Sequence, residues 1–171
     1  MKTPKRYILI GFMGAGKTFL GKQLSEKLNI PFIDSDEEIE KKHNSTISEI
    51  FKNEGEEAFR LKEKKFIEAL NPSESFVLAT GGGLPCYSRN MDLINKLGKT
   101  IYLKASPTCL AARLLNNNTN RPLIENNQLE ELKQFIKEKL AVREQFYNDA
   151  SIIIEQEDLK LEDLLKVIEN D

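Results

Sequence analysis

The sequence predicts an α/β fold in which a parallel sheet of five strands is covered by helices on both faces. Short apolar β-type runs alternate with helical stretches along the 171 residues, as in sheets that are buried on both sides. A glycine-rich motif of the phosphate-binding type also joins the first run to the first helix. The predicted strands are residues 7–10, 32–34, 76–79, 100–103 and 151–154.

Apolar spacing and end signals define the helices. In the first helix, Leu20, Leu24 and Leu28 fall on one face, Asn29 can take a left-handed cap, and Pro31 stops the helix. No repeat or second domain is visible, so residues 1–171 are expected to form a single domain. The same reasoning predicts helices at residues 17–28, 37–42, 47–53, 56–70, 88–97, 107–115, 128–149 and 159–169.

Composition argues against several classes of function. The formal net charge is −2, so no basic excess indicates nucleic acid or a membrane as a partner. The first apolar run is too short for a signal peptide or a membrane span. Cys86 and Cys109 lie far apart without a C-x-x-C pattern, which favours reduced thiols and a cytosolic protein, and we expect a monomer. His43 is expected to be a solvated helix-end residue without a role.

Residues 11–18 read G-F-M-G-A-G-K-T, the G-x-x-x-x-G-K-[ST] pattern of a phosphate-binding loop. Its glycines let the backbone N–H groups and the following helix N-terminus approach an anion closely. Lys17 would place a positive charge on the β- and γ-phosphates, and the Thr18 hydroxyl can ligate Mg²⁺. The alternative is a glycine-rich turn without a ligand, but the strand and helix that flank the loop favour a nucleotide site.

Two carboxylates follow the second predicted strand, at the sheet edge where ligands of open α/β folds bind. Asp34 and Asp36 suggest one group that serves Mg²⁺ through its waters and one that handles an acceptor hydroxyl. The alternative is helix capping, with Ser35 as the cap and Glu38 three residues later, which would not require either aspartate.

Glycines gather at the same edge. Gly81, Gly82 and Gly83 follow the third predicted strand, where they indicate that the backbone comes close to another group. The alternative is a plain flexible turn. Together with the three glycines of the phosphate-binding loop, they account for six of the nine glycines in the chain.

Two arginines suggest an anion clamp. Arg143 continues the apolar stripe of the helix at 128–149, so it needs an anionic partner. Arg60 lies three residues before Glu63, which interrupts an apolar stripe and could fix the guanidinium. The alternative for Arg143 is a structural salt bridge, and the alternative for Arg60 is an ion pair with Glu63 on the helix surface. A guanidinium fork suits a planar carboxylate, so the acceptor would carry both a carboxylate and a hydroxyl.

The segment 116–127 does not fit the alternation of strands and helices. Half of it is asparagine, and Arg121 lies in its middle, which favours a functional lid over a solvated surface loop.

Six motifs then occur in the order and near the spacing of one family. They are G-F-M-G-A-G-K-T at 11–18, D-S-D at 34–36, G-E-E-A-F-R at 55–60, G-G-G at 81–83, R-P-L at 121–123 and R-E-Q-F-Y at 143–147. On these residues the chain resembles the shikimate kinases over nearly its whole length. The resemblance implies ATP-dependent phosphorylation of the 3-hydroxyl of shikimate in aromatic amino-acid biosynthesis. It also implies a P-loop kinase fold with the strand order 2-3-1-4-5, as in nucleoside monophosphate kinases.

The resemblance also implies the site residues. Lys17, Asp36 and Arg121 would be catalytic, and Thr18 would ligate Mg²⁺ with Asp34 behind its waters. Residues 35–62 would form the acceptor-binding segment, and the adenine loop would lie near 155–158. The nucleotide would be bound by Gly14, Ala15, Gly16, Lys17, Thr18, Phe19, Arg121 and Arg113, the last stacking on adenine. Shikimate would be bound by Asp36, Phe51, Phe59, Arg60, Gly81, Gly82, Gly83 and Arg143.

Two alternatives remain at this stage. A gluconate kinase would share the phosphate-binding loop but should lack the Arg60–Arg143 pair and the triple glycine. A non-catalytic nucleotide-binding module would need neither an acceptor pocket nor an arginine-bearing lid.

Overall fold

One parallel sheet of five strands organises the chain. The computed structural model describes residues 4–117, 126–155 and 157–169. The predicted order 2-3-1-4-5 is confirmed, because β1 pairs with β3 and β4, β3 pairs with β2, and β4 pairs with β5. The strands are β1 (Arg6–Ile10), β2 (Phe32–Asp34), β3 (Phe76–Ala79), β4 (Lys99–Lys104) and β5 (Ile152–Glu155).

Seven helices of the described residues surround the sheet. Along the described ranges, none of them has the length and apolar character needed to cross a bilayer. A 3-10 turn at Leu84–Cys86, which the sequence did not predict, follows the triple glycine. The helices are α1 (Lys17–Leu28), α2 (Ser35–His43), α3 (Ile47–Glu68), α4 (Asn90–Leu97), α5 (Pro107–Asn117), α6 (Asn126–Tyr147) and α7 (Leu161–Glu169).

Two helix boundaries near the site differ from the prediction. The helices expected at 47–53 and 56–70 are one element, α3, interrupted at Gly55, whose φ of 86° and ψ of 171° are not helical. Helix α4 begins at Asn90 rather than at residue 88, because Ser88 and Arg89 have positive φ values of 52° and 58°. By contrast, α1 ends as predicted, with Asn29 in the left-handed conformation.

The apolar residues form two clusters. The larger one packs around the central strands, where Ile8, Leu9 and Ile10 are fully buried. A smaller cluster of Ile39, Ile50 and Phe59 joins α2 to α3. The second cluster holds these two helices beside the carboxyl ends of β2 and β3, where the polar side chains gather.

Candidate nucleotide and acceptor site

A cleft of about 1090 Å³ runs along the carboxyl edge of the sheet. Of the residues predicted to bind, Arg60, Arg143, Gly83, Phe51 and Phe59 lie outside its lining, although the triple glycine brings both arginines to its border. The predicted residues that line the cleft are Gly14, Ala15, Gly16, Lys17, Thr18, Phe19, Asp34, Asp36, Gly81, Gly82 and Arg113.

The phosphate-binding loop has the backbone that its glycines predict. Gly11, Gly14 and Gly16 have φ values of 139°, 82° and 91°, which residues with a Cβ rarely adopt. Gly16 is also the N-cap of α1 and has no side chain with which to cap it. The first N–H groups of α1 are therefore open to a phosphate at the positive end of the helix.

Lys17 is buried inside this loop. Its Nζ donates hydrogen bonds to the carbonyl oxygens of Gly11 at 2.8 Å and Phe12 at 2.9 Å. Burial lowers the pKa of Lys17 to about 8, although Asp36 and Asp34 act in the opposite direction. The amine is thus held where a phosphate would bind, with its charge only partly compensated.

This pKa predicts a pH dependence of nucleotide binding. Above about pH 8 the free protein loses the Lys17 proton, which the phosphates require, so each binding event must then take up a proton. We expect the affinity for ADP to fall about tenfold per pH unit above that value. Calorimetry between about pH 7 and 9.5 would measure the slope. It should be missing in the Lys17→Ala variant, and a flat profile in the natural protein would contradict the prediction.

The aspartates after β2 connect the phosphate-binding loop to α2. Thr18 Oγ1 donates to Asp34 Oδ2 at 2.9 Å, and Asp34 Oδ1 accepts the N–H of Asp36 at 3.0 Å. Asp34 is therefore the N-cap of α2, and the alternative in which Ser35 is the cap is wrong. Because Ser35 is already helical, its buried hydroxyl is free to accept the Gly81 N–H at 2.8 Å.

Asp36 points to the triple glycine. Burial raises the pKa of Asp36 above its ordinary value, and Asp34 adds to this shift while Lys17 opposes it. A Cβ on Gly81 would lie 2.5 Å from Asp36 Oδ1, so a larger residue here would force the carboxylate out of its present position. A carboxylate with a raised pKa is suited to accept a proton near neutral pH.

The other two glycines adjoin the two arginines. A Cβ on Gly83 would lie 2.6 Å from Arg60 Nη1, and one on Gly82 would lie 3.8 Å from Arg143 Nη1. The buried Tyr147 hydroxyl donates a hydrogen bond to the Gly82 carbonyl oxygen. None of the three glycines has a positive φ, so they provide space rather than an unusual backbone. A plain flexible turn would not need that space.

Arg60 is held by two carboxylates. Its Nη1 donates to Glu63 Oε2 at 2.8 Å, and its Nη2 donates to Glu56 Oε1 at 2.9 Å. The Arg60 side chain is only 11% exposed and that of Glu63 only 1%, so the surface ion pair considered as an alternative is wrong. Burial raises the pKa of Glu63, and the charge of Arg60 opposes this shift.

Arg143 has a different environment. Its guanidinium lies over the Phe12 ring, 5.6 Å from the centroid. Among the residues that the structure describes, no carboxylate lies within ion-pair distance of Arg143, so the structural salt bridge considered as an alternative is not found. Phe51 and Phe59 pack with their ring centroids 4.8 Å apart, beside Arg60.

The remaining predicted residues lie around the nucleotide end. Arg113 donates to the carbonyl oxygens of Gly14, at 3.4 Å, and of Glu157, so it joins the phosphate-binding loop to the segment after β5. The ends of the segment predicted as a lid are helical, because α5 reaches Asn117 and α6 begins at Asn126. Arg121 and the rest of that segment, residues 118–125, lie outside the described residues.

Sequence reasoning missed two neighbours of Arg60. Glu56 precedes Arg60 by four residues, a spacing that could have indicated the contact. Tyr87 places its ring 4.1 Å from the Arg60 guanidinium carbon, and no spacing in the sequence indicates this.

Comparison with known proteins decides the family. The family model described as shikimate kinase matches residues 13–170. The chain belongs to the shikimate kinase family. A shikimate kinase from Azobacteroides pseudotrichonymphae is 45% identical over 95% of this chain and 96% of its own.

Solved structures agree with this membership. The crystal structure of a shikimate kinase from Bacteroides thetaiotaomicron has a TM-score of 0.87 and 37% identity, covering 96% of this chain and 98% of that one. A shikimate kinase from Acinetobacter baumannii in complex with shikimate has a TM-score of 0.83 and 35% identity, covering 98% and 92% of the two chains. As a member of this family, the chain is a phosphotransferase that uses ATP to phosphorylate shikimate.

Proposed function

We propose that the cleft transfers the γ-phosphoryl group of ATP to the 3-hydroxyl of shikimate, with the triple glycine as the junction between the two substrates. One observation carries this assignment. A Cβ on Gly82 would lie 3.4 Å from both the Gly11 carbonyl oxygen and the Met13 nitrogen, so the glycines touch the phosphate-binding loop. The same glycines adjoin Asp36, Arg60 and Arg143, so acceptor groups and phosphate groups share one border.

The nucleotide half follows from the loop and its neighbours. The loop N–H groups and Lys17 would bind the β- and γ-phosphates, and Arg113 would stack on adenine. Arg121, from the segment proposed as a lid, would stabilise the transferring group. Thr18 and Asp34 fit Mg²⁺, because the two oxygens that they place 2.9 Å apart belong to the hard ligands this ion prefers. Bound Mg²⁺ would neutralise charge on the phosphates, with Thr18 as ligand and Asp34 behind its waters.

The acceptor half lies in residues 35–62 and the triple glycine. Asp36 would orient the 3-hydroxyl and accept its proton, and the Gly82 N–H would bind the substrate. Arg60 and Arg143 would hold the carboxylate, while Phe51 and Phe59 would line the ring pocket. The two free cysteines support a cytosolic protein, and the lack of a basic excess supports small molecules rather than nucleic acid as partners. We propose a monomer because the chain is a small, acidic single domain.

An ATP-consumption assay tests the assignment. ATP should be consumed with shikimate, but not with gluconate or without an acceptor. Equal turnover with gluconate would favour the gluconate kinase alternative. If ATP is not consumed with either shikimate or gluconate, the result would favour the non-catalytic module.

The arginines provide a second test. Arg60→Lys and Arg143→Lys should each weaken shikimate binding by about 1.5–3 kcal/mol, although the charge is kept. Lysine is a point donor and cannot reproduce the planar fork that a carboxylate meets. Titration calorimetry with shikimate and with its analogue lacking the carboxylate would measure the loss.

Two controls make this result specific. ADP affinity without acceptor should barely change, because neither arginine belongs to the phosphate-binding loop. The double variant should lose less than the sum of the single variants, since both arginines hold one carboxylate. If the natural protein binds shikimate and the analogue equally well, the arginines do not clamp a carboxylate.

A further inference from the structure

The Arg60 guanidinium is enclosed on almost every side. The buried Glu63 accepts from Nη1, and the Tyr87 ring covers the guanidinium at 4.1 Å. The Nη end abuts Gly83, where even a Cβ would lie 2.6 Å from Nη1 and 2.8 Å from Nη2. The remaining edge consists of Nε and Nη2, and both donate to one oxygen of Glu56, at 3.3 Å and 2.9 Å.

Glu56 differs from the other neighbours in its exposure. Its side chain is 54% exposed, whereas that of Glu63 is 1% exposed. The hydrogen bond from Arg60 lowers the pKa of Glu56, so the contact is between charged groups at neutral pH. Water can solvate the exposed Glu56 carboxylate once it leaves, whereas Arg60, at 11% exposure, needs another anion in its place. Glu56 is therefore the neighbour of Arg60 that can leave at little cost.

Charge makes this departure favourable once an acceptor arrives. Arg60 already faces two carboxylates, and a third beside it would be repelled by both. Exchange of Glu56 for the incoming carboxylate keeps the number at two. It also gives the acceptor the Nε–Nη2 edge, the side-on fork that binds carboxylates with two parallel hydrogen bonds.

We propose that Glu56 takes the place of the acceptor carboxylate in the empty site. There Glu56 occupies the Nε–Nη2 edge of Arg60, and the acceptor carboxylate displaces it on binding. This inference rests on the proposed function, in which Arg60 binds that carboxylate. Glu56 is then a positioning residue that keeps Arg60 oriented before binding and competes with the substrate during binding.

The test is the affinity of the Glu56→Gln variant. Glutamine keeps the length and the oxygen but removes the charge that competes. Shikimate should bind about two- to fivefold more tightly, the range that corresponds to the loss of one ion pair that solvent reaches from one side. The analogue lacking the carboxylate should bind as it does to the natural protein, because it does not displace Glu56. Glu57→Gln, at an exposed position next to it in α3, is the matched control and should change neither affinity.

Three results would overturn the proposal in different ways. If Glu56→Gln binds shikimate as well as or more weakly than the natural protein, Glu56 stays on Arg60 when the acceptor binds. Unchanged ADP affinity would show that this variant is folded. Tighter binding of the analogue as well would show an effect unrelated to the carboxylate. If the natural protein does not prefer shikimate to the analogue, the carboxylate clamp itself is wrong, and this result separates failure of the proposed function from failure of the Glu56 proposal.

Discussion

Replacing Lys17 with alanine is expected to remove nearly all phosphoryl transfer, by about 10³-fold or more in kcat. Negative charge is redistributed over the phosphate oxygens as the bond to ADP breaks, and Lys17 is the buried cation of the loop proposed to bind those oxygens. Because the amine already lies on the Gly11 and Phe12 carbonyl oxygens, it needs little reorganisation to meet that charge.

The same substitution should leave the fold intact. Below about pH 8 the buried, charged Lys17 costs the folded state free energy, because its pKa there lies below the ordinary value. Removing it relieves this cost while two hydrogen bonds are lost, so the free energy of unfolding at neutral pH should change little. Turnover of shikimate and urea unfolding would be measured on the same sample. Normal turnover in a folded variant would reject the assigned role of the loop.

The fold was largely predictable because its signals are local. All five strands follow from short apolar runs, and the end of α1 follows from Asn29 and Pro31. The start of α4 was not predictable in this way. Ser88 and Arg89 adopt positive φ values, and neither residue type commonly marks that conformation.

Some features of the site were predictable from the sequence, and others were not. Spacing alone placed the phosphate-binding loop, Asp36 and the triple glycine at one edge of the sheet. It could not reveal that Gly83 abuts Arg60, or that Tyr87 stacks on it, because these contacts join residues more than twenty positions apart. Glu56 and Glu63 both lie at helical spacing from Arg60. Only Glu63 was predicted as a partner of Arg60, because it interrupts an apolar stripe.

Replacing Asp36 with asparagine should lower kcat by about 10²-fold or more, the contribution of a well-placed general base. Asparagine keeps the size and can still hydrogen-bond the acceptor, but it cannot take the proton. Shikimate affinity should therefore change much less than kcat. The fit beside Gly81 should also persist, because the amide has nearly the shape of the carboxylate that lies 2.5 Å from the position of a Cβ there.

Asp34→Asn is the matched control, since Asp34 lies two residues away and has a different task. It accepts the Thr18 hydroxyl and caps α2, so its loss should raise the Mg²⁺ concentration needed for half-maximal rate. It should change the free energy of unfolding little, because the asparagine oxygen can still accept the Asp36 N–H and caps a helix about as well as aspartate does. Rates measured against Mg²⁺ concentration separate the two roles. Asp34→Asn should recover most of its activity at saturating Mg²⁺, whereas Asp36→Asn should not, because no amount of Mg²⁺ replaces the lost base. If both variants show the same modest defect at saturating Mg²⁺, the division of roles between these aspartates is wrong.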